Sequence, residues 1–247
     1  MRKVMAAIFQ HKKAYNKLPL FEFMRDEQRT PFERLSFYPC MAHFIMSFGD
    51  LNRYVMRQEP TQDPYQELVN AHTYEDDHHW PWYLEDFVKL GFDKYRQNSE
   101  DLRFLWGDEA AVNRVLMYRL SAMILNASSL HRLAIIEAIE ETGNVLFDLT
   151  AQLANQISAE TGVELRYLGD HHFGKETGHA MGSDHKVLVS IELTEAQRAE
   201  MLQQVEQIFV WFAEWTDELL AYAKANPLNP ENVERRSPAE QEAVLYS

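Results

Sequence analysis

One stretch constrains the fold of this chain more than any other. From Thr194 to Leu220 the apolar residues Met201, Leu202, Val205, Ile208, Phe209, Phe212, Trp215 and Leu219 recur three or four residues apart, with few breaks. That is the period of an α-helix with one continuous buried face. Thr194 opens the helix, and Asn226-Pro227 stops it. A second long helix is expected from about Leu130 to Ser158, carrying Ile136, Ile139, Leu146, Leu149, Leu153 and Ile157 at similar spacing.

Shorter helices fill the rest. Thr30-Pro31-Phe32-Glu33 is a capping box with proline at the first helical position. The helix it opens is expected to reach about Met56, kinked or broken at Pro39. Others are expected from Pro64 to His79, from Trp80-Pro81-Trp82 to Leu90 with Gly91 as the stop, and from Asp108 to Leu125. Only Lys186 to Glu192 alternates as a strand would, and with no partner it reads as an extended connector. With only 9 Gly and 9 Pro, an all-β chain rich in turns is disfavoured. The expectation is an all-α bundle of about seven or eight helices: one domain over residues 1–226 and a polar tail or arm over 227–247.

Charge narrows the function. A formal net charge of -14 repels phosphate backbones, so nucleic acid is not an expected partner. No segment offers a basic amphipathic face or an apolar run of the ~20 residues that a membrane span needs. The run from Val4 to Phe9 is too short for the core of a signal peptide. Cys40, the single cysteine, has no internal disulfide partner. Together these give the expectation of a cytoplasmic protein.

The chemistry-bearing residues lie in two short clusters that hold six of the ten histidines. In the first, His72, Glu75 and His79 would fall within roughly 60° of one helical face. In the second, His172, Glu176 and His179 share a face with the spacing His-x3-Glu-x2-His. Gly174, Gly178 and Gly182 line its far side, each costing a free helix about 1 kcal/mol relative to Ala. Close approach of a ligand or another helix would offset that cost. Glu137, Glu140 and Glu141 interrupt an otherwise apolar helix, where a buried carboxylate needs a cation or a donor. Imidazoles and carboxylates converging inside a helical bundle are what a transition metal requires. Each piece alone also reads as a solvated face or as a buried hydrogen-bond network.

These residues together resemble the haem-oxygenase-like superfamily, in its TenA-like and non-haem di-iron oxidase branch. There, one helix carries Glu-x6-His, a middle helix supplies a Glu, and a late helix carries His-x3-Asp-x2-His, with Glu occasionally at the acidic place. His172, Glu176 and His179 match the late motif. His79, twelve residues before Gly91, matches the first His, and Glu137 or Glu140 stands where the middle Glu is expected. The chain departs from the pattern at His72, which occupies the place of the family's first Glu; His72 itself or Glu75 would replace it. The resemblance spans roughly Thr30 to Tyr222. It implies one or two iron ions per chain and O2 and a small-molecule substrate as partners. Tyr74 and Trp80 would be the nearest oxidisable side chains.

Three other readings stay open. A haem protein would use His43 as its axial ligand. A thiaminase-type hydrolase would need Cys40 as its nucleophile. A helical module without activity would use the same polar clusters as internal hydrogen bonds. An aromatic content of 12% and the proline-containing tail suggest a homodimer.

Overall fold

The computed structural model describes residues 1–92, 98–179 and 185–235, with 175–179 and 185–187 described by their backbone alone. Among the described residues there are twelve α-helical segments and no strand. The C-terminal helix, Glu195–Ala225, starts at a complete capping box: the Thr194 hydroxyl accepts from Gln197 N–H while the Gln197 side chain accepts from Thr194 N–H. Apart from the half-buried Leu202, its stripe is buried from Met201 to Leu220. The other long helix, Ser129–Thr161, is capped by the Ser128 hydroxyl and ends at Gly162, which takes the left-handed conformation at φ 72°. The two pack along each other, and a third helix, Arg2–Tyr15, lies against both. Val4, Met5 and Ile8 of that third helix are buried. The short run from Val4 to Phe9 is thus one turn and a half of core helix.

In chain order the helices are α1 (Arg2–Tyr15), α2 (Pro19–Arg25), α3 (Pro31–Arg34), α4 (Ala42–Asp50), α5 (Pro64–Asp76), α6 (Trp80–Lys89), α7 (Asn98–Trp106), α8 (Ala111–Leu125), α9 (Ser129–Thr161), α10 (Asp170–His179), α11 (His185–Ser190) and α12 (Glu195–Ala225). The excess over seven or eight comes from short pieces. α1 and α2 lie ahead of the first expected start, and Pro39 sits in a 3-10 turn (Tyr38–Met41) that separates α3 from α4. α4 then runs on into a π-helical stretch, Leu51–Met56. The segment from Lys186 to Glu192 is helical through Ser190 rather than extended. Without a strand partner its backbone groups find bonds within a helix, and Leu188 is buried.

Two placements prepare the site. α5 and α10 both pack on α9, which brings the two histidine clusters to the same helix. The chain after α12 folds back over the body. Glu234 N–H donates to Lys89 carbonyl O at 2.8 Å, Leu228 and Val233 are buried, and Asn232 seats against Gly91, whose φ is +75°. Among the described residues no helix is long and apolar enough to cross a membrane.

Candidate metal centre

The first cluster forms at the end of α5. His72 and Asp76 stand one helical turn apart, so their side chains meet on one face. His72 Nε2 is 2.9 Å from Asp76 Oδ2 and 3.4 Å from Glu140 Oε1 of α9. Asp76 is 4% exposed and Glu140 7%. The three candidate donor atoms lie within 4.8 Å of one another. Burial opposes charge on the His72 imidazole, but Asp76 and Glu140 outweigh it and raise its pKa well above 6.5.

The second cluster joins residues far apart in sequence. His79, just ahead of α6, and His172, on α10, are both buried, with Nδ1 of the first 3.1 Å from Nε2 of the second. His172 Nδ1 lies 3.1 Å from the Tyr167 carbonyl oxygen. A carbonyl only accepts, so this contact puts the proton on Nδ1 and leaves a lone pair on Nε2. Fixing a histidine's tautomer through its far nitrogen is the usual support for a metal ligand. The rings are held from the sides as well. His79 stacks on Trp82 with centroids 4.5 Å apart, and His172 stacks on Tyr167 at 4.4 Å.

Asp76 links the clusters. Its Oδ2 faces His72, and its Oδ1 is 3.9 Å from His79 Nδ1. Donors about 2.1 Å from a shared ion, at angles of about 90° to 109°, are about 3.0 to 3.4 Å apart. The separations of 2.9 and 3.4 Å around His72 and 3.1 Å between His79 and His172 are close to that range. They are also ordinary hydrogen-bond lengths, so the donor set fits an ion and is stable without one.

Asp86 of α6 positions the second cluster. Its fully buried carboxylate accepts from the backbone N–H groups of Arg166, Tyr167 and Leu168 at 2.6, 2.7 and 2.9 Å. Burial raises its pKa, against the pull of those three donors. The clamp fixes the loop that supplies the Tyr167 carbonyl and leads into α10.

Beside these residues is a cavity of about 60 Å³, walled by Phe44, Phe48, Ile139, Leu146, Phe212 and Trp215. Asp76, His79, Glu140 and His172 form its polar end. A single water needs ~10–15 Å³ of such space, so there is room for a small molecule.

Of the residues singled out in the sequence, His72 and Glu140 lie together, as do His79 and His172, with Asp76 between the two pairs. Glu75 is not with them: its side chain is exposed. Helical arithmetic carried through to His79 fails because α5 ends at Asp76, and the buried neighbour of His72 is Asp76. That residue was legible as the i+4 partner of His72. Glu137 is half-buried and outside the group of three, while Glu141 is taken up by Lys12. His78 is exposed beside Asp77. The side chains of Glu176 and His179 lie outside the described residues.

Neither alternative residue reaches the cavity wall. Cys40 is fully buried, and burial pushes its thiol pKa up, which disfavours a thiolate nucleophile. His43 packs instead against Trp106 and Tyr118, with centroids 5.9 and 6.3 Å away. The chain matches no protein-family model and no curated protein.

Proposed function

We propose that this chain is a non-haem iron protein of haem-oxygenase-like architecture that uses O2 to oxidise a small molecule. The observation that carries the reading is the position of Asp76, whose two carboxylate oxygens face His72, with Glu140, on one side and His79, with His172, on the other. All donors are nitrogen or oxygen, which suits iron. His72, Asp76 and Glu140 would hold one ion. His79 and His172 would hold a second, with Glu176 and His179 of α10 as further candidates. Iron so bound would supply one-electron chemistry towards O2.

The protein's own part is positioning. Asp86 and the Tyr167 carbonyl hold His172 with its Nε2 lone pair presented. The aromatic and aliphatic walls of the cavity favour an apolar substrate beside the polar residues. His72 must give up its proton before its Nε2 can bind an ion.

Elemental analysis after anaerobic reconstitution with Fe(II) tests the proposal. One to two iron per chain is expected. Absence of bound transition metal would leave the second reading, a buried network in which His72 is an imidazolium between two carboxylates. A haem protein is disfavoured because His43, its candidate axial ligand, packs against Trp106 and Tyr118 and is not among the residues that line this cavity.

A further inference from the structure

A helix at the surface of a folded chain normally turns a polar face to solvent. α12 does so: its exposed positions include Gln203, Glu206, Gln207, Glu214 and Asp217. α8 does not. Its exposed positions are Val115, Tyr118, Ala122 and Leu125, all apolar, while Leu116, Met117, Leu120 and Ile124 bury its opposite face. A helix that is apolar on both faces is normally an interior one. Tyr118 is nevertheless 60% exposed and Leu125 63%. The apolar surface extends past α8, because the His43 ring meets both Tyr118 and Trp106 edge-on. Trp106 of α7 is 62% exposed, and Leu102, one turn before it, is exposed too. With fully covered aromatic side chains worth about 150–250 Å² each, these exposed groups together present roughly 500 Å². That is most of the ~800 Å² that each partner covers in a standard interface.

We propose that this face is the contact between two copies of the chain, with α8 packed against α8 in antiparallel fashion about a two-fold axis level with Leu120. The spacing selects the occupant. The four exposed residues stand three, four and three apart, the apolar pattern of a helix–helix seam. That pattern is the same read backwards, so an antiparallel copy aligns all four positions at once. Val115 then meets Leu125 of the second copy, and Tyr118 meets Ala122, a smaller side chain against a larger one in every layer. Parallel copies would set Tyr118 on Tyr118 and Ala122 on Ala122, crowding one layer and leaving a gap in the next, which close packing does not tolerate. A two-fold pair of identical patches is also the commonest way for a soluble chain to associate. Arg119, beside the centre of the seam, is paired with Glu214 of α12 at 2.5 Å, so the two-fold axis does not bring bare cations together. The seam carries none of the proposed iron ligands, and the inference is independent of the iron reading.

Sedimentation equilibrium of the full chain tests the inference, and twice the chain mass of 29.0 kDa is expected. Ala122→Glu replaces an exposed residue with another good helix former, so helical content by circular dichroism should not change. In the pair it sets an unpaired carboxylate against Tyr118 of the second copy, and it should raise the dissociation constant at least about tenfold. Cysteines report the direction of packing. Cys40 is fully buried, so thiols introduced on α8 are the ones that oxidise. A chain carrying both Val115→Cys and Leu125→Cys should form disulfide-linked dimers under mild oxidation, whereas Leu125→Cys alone should form few, its thiols lying at opposite ends of an antiparallel seam. A wild type that is monomeric at every concentration would overturn the inference and leave the face to a different protein or to residues 236–247. A dimer that Ala122→Glu leaves intact, or cross-linking by Leu125→Cys alone that matches the double variant, would overturn it as well.

Discussion

His172 places its Nε2 3.1 Å from His79 Nδ1, although 93 residues separate them in the chain. The contact exists because Asp86, seven residues after His79 on the same side of the break that ends α5, clamps the loop before α10 through three backbone N–H groups. One carboxylate thereby couples the helix that follows the first histidine cluster to the helix that carries the second. Asp76 then joins His79 to His72 and, through it, to Glu140. The proposed centre is thus built by α5, the start of α6, α9 and α10, with the acidic member that matters in the first cluster being Asp76.

Asp76→Asn should separate this assignment from the one based on Glu75. The amide keeps the shape but loses the negative charge shared by both sides of the centre. Fe(II) affinity measured anaerobically should fall by at least about tenfold, the lower end of what loss of a supporting residue costs a metal site. Glu75→Gln alters an exposed side chain and should leave affinity within error of wild type. Equal losses in the two variants would return the site to the Glu75 phasing.

Asp86→Ala removes the acceptor of three backbone N–H groups in a buried setting. Each unmet donor costs about 1–3 kcal/mol before relaxation and water relieve it. Urea unfolding of the metal-free protein should therefore show a loss on the order of 3 kcal/mol. The positioning role makes a further demand: at a urea-free temperature where the variant is folded, Fe(II) affinity should also drop, since Tyr167 no longer orients His172. A variant that is destabilised but binds Fe(II) like wild type would make Asp86 merely structural.

How much of this was legible in the sequence follows from where local rules apply. α9 and α12 read clearly because their apolar stripes and caps are local, and Thr194 with Gln197 forms its capping box within four residues. α1 was hidden because Val4, Met5 and Ile8 span too few turns to show a period on their own. His72, His79, Glu140 and His172 were legible as residue types at suggestive spacing. Their grouping was not, because it depends on α5 stopping at Asp76 and on Asp86 holding a loop that begins 80 residues later in the chain. The same break turned the face from Glu75 to Asp76. Trp215 read as one more member of the apolar stripe of α12, and it is buried there.

The proton on His72 ties stability and metal binding to pH in opposite directions. Its pKa is raised well above 6.5, with burial opposed and outweighed by Asp76 and Glu140. Below about pH 6.5 the imidazole is charged both in the unfolded chain and in the fold, and its pairing with the two carboxylates contributes its full stabilisation to the metal-free protein. As pH rises from there through the higher folded-state pKa, that contribution is lost. Metal binding has the opposite dependence, because an ion must take the Nε2 lone pair that the proton occupies. At pH 7 Fe(II) uptake should therefore release a proton from His72. Anaerobic calorimetry in buffers of different ionisation enthalpy reads this directly, as a buffer-dependent binding heat. His72→Gln keeps a polar side chain without the titration, and its slope should be smaller than that of wild type by about one proton per ion bound at this site. Identical slopes in wild type and variant would mean that His72 does not ligate, and the first ion would then have to be held without it.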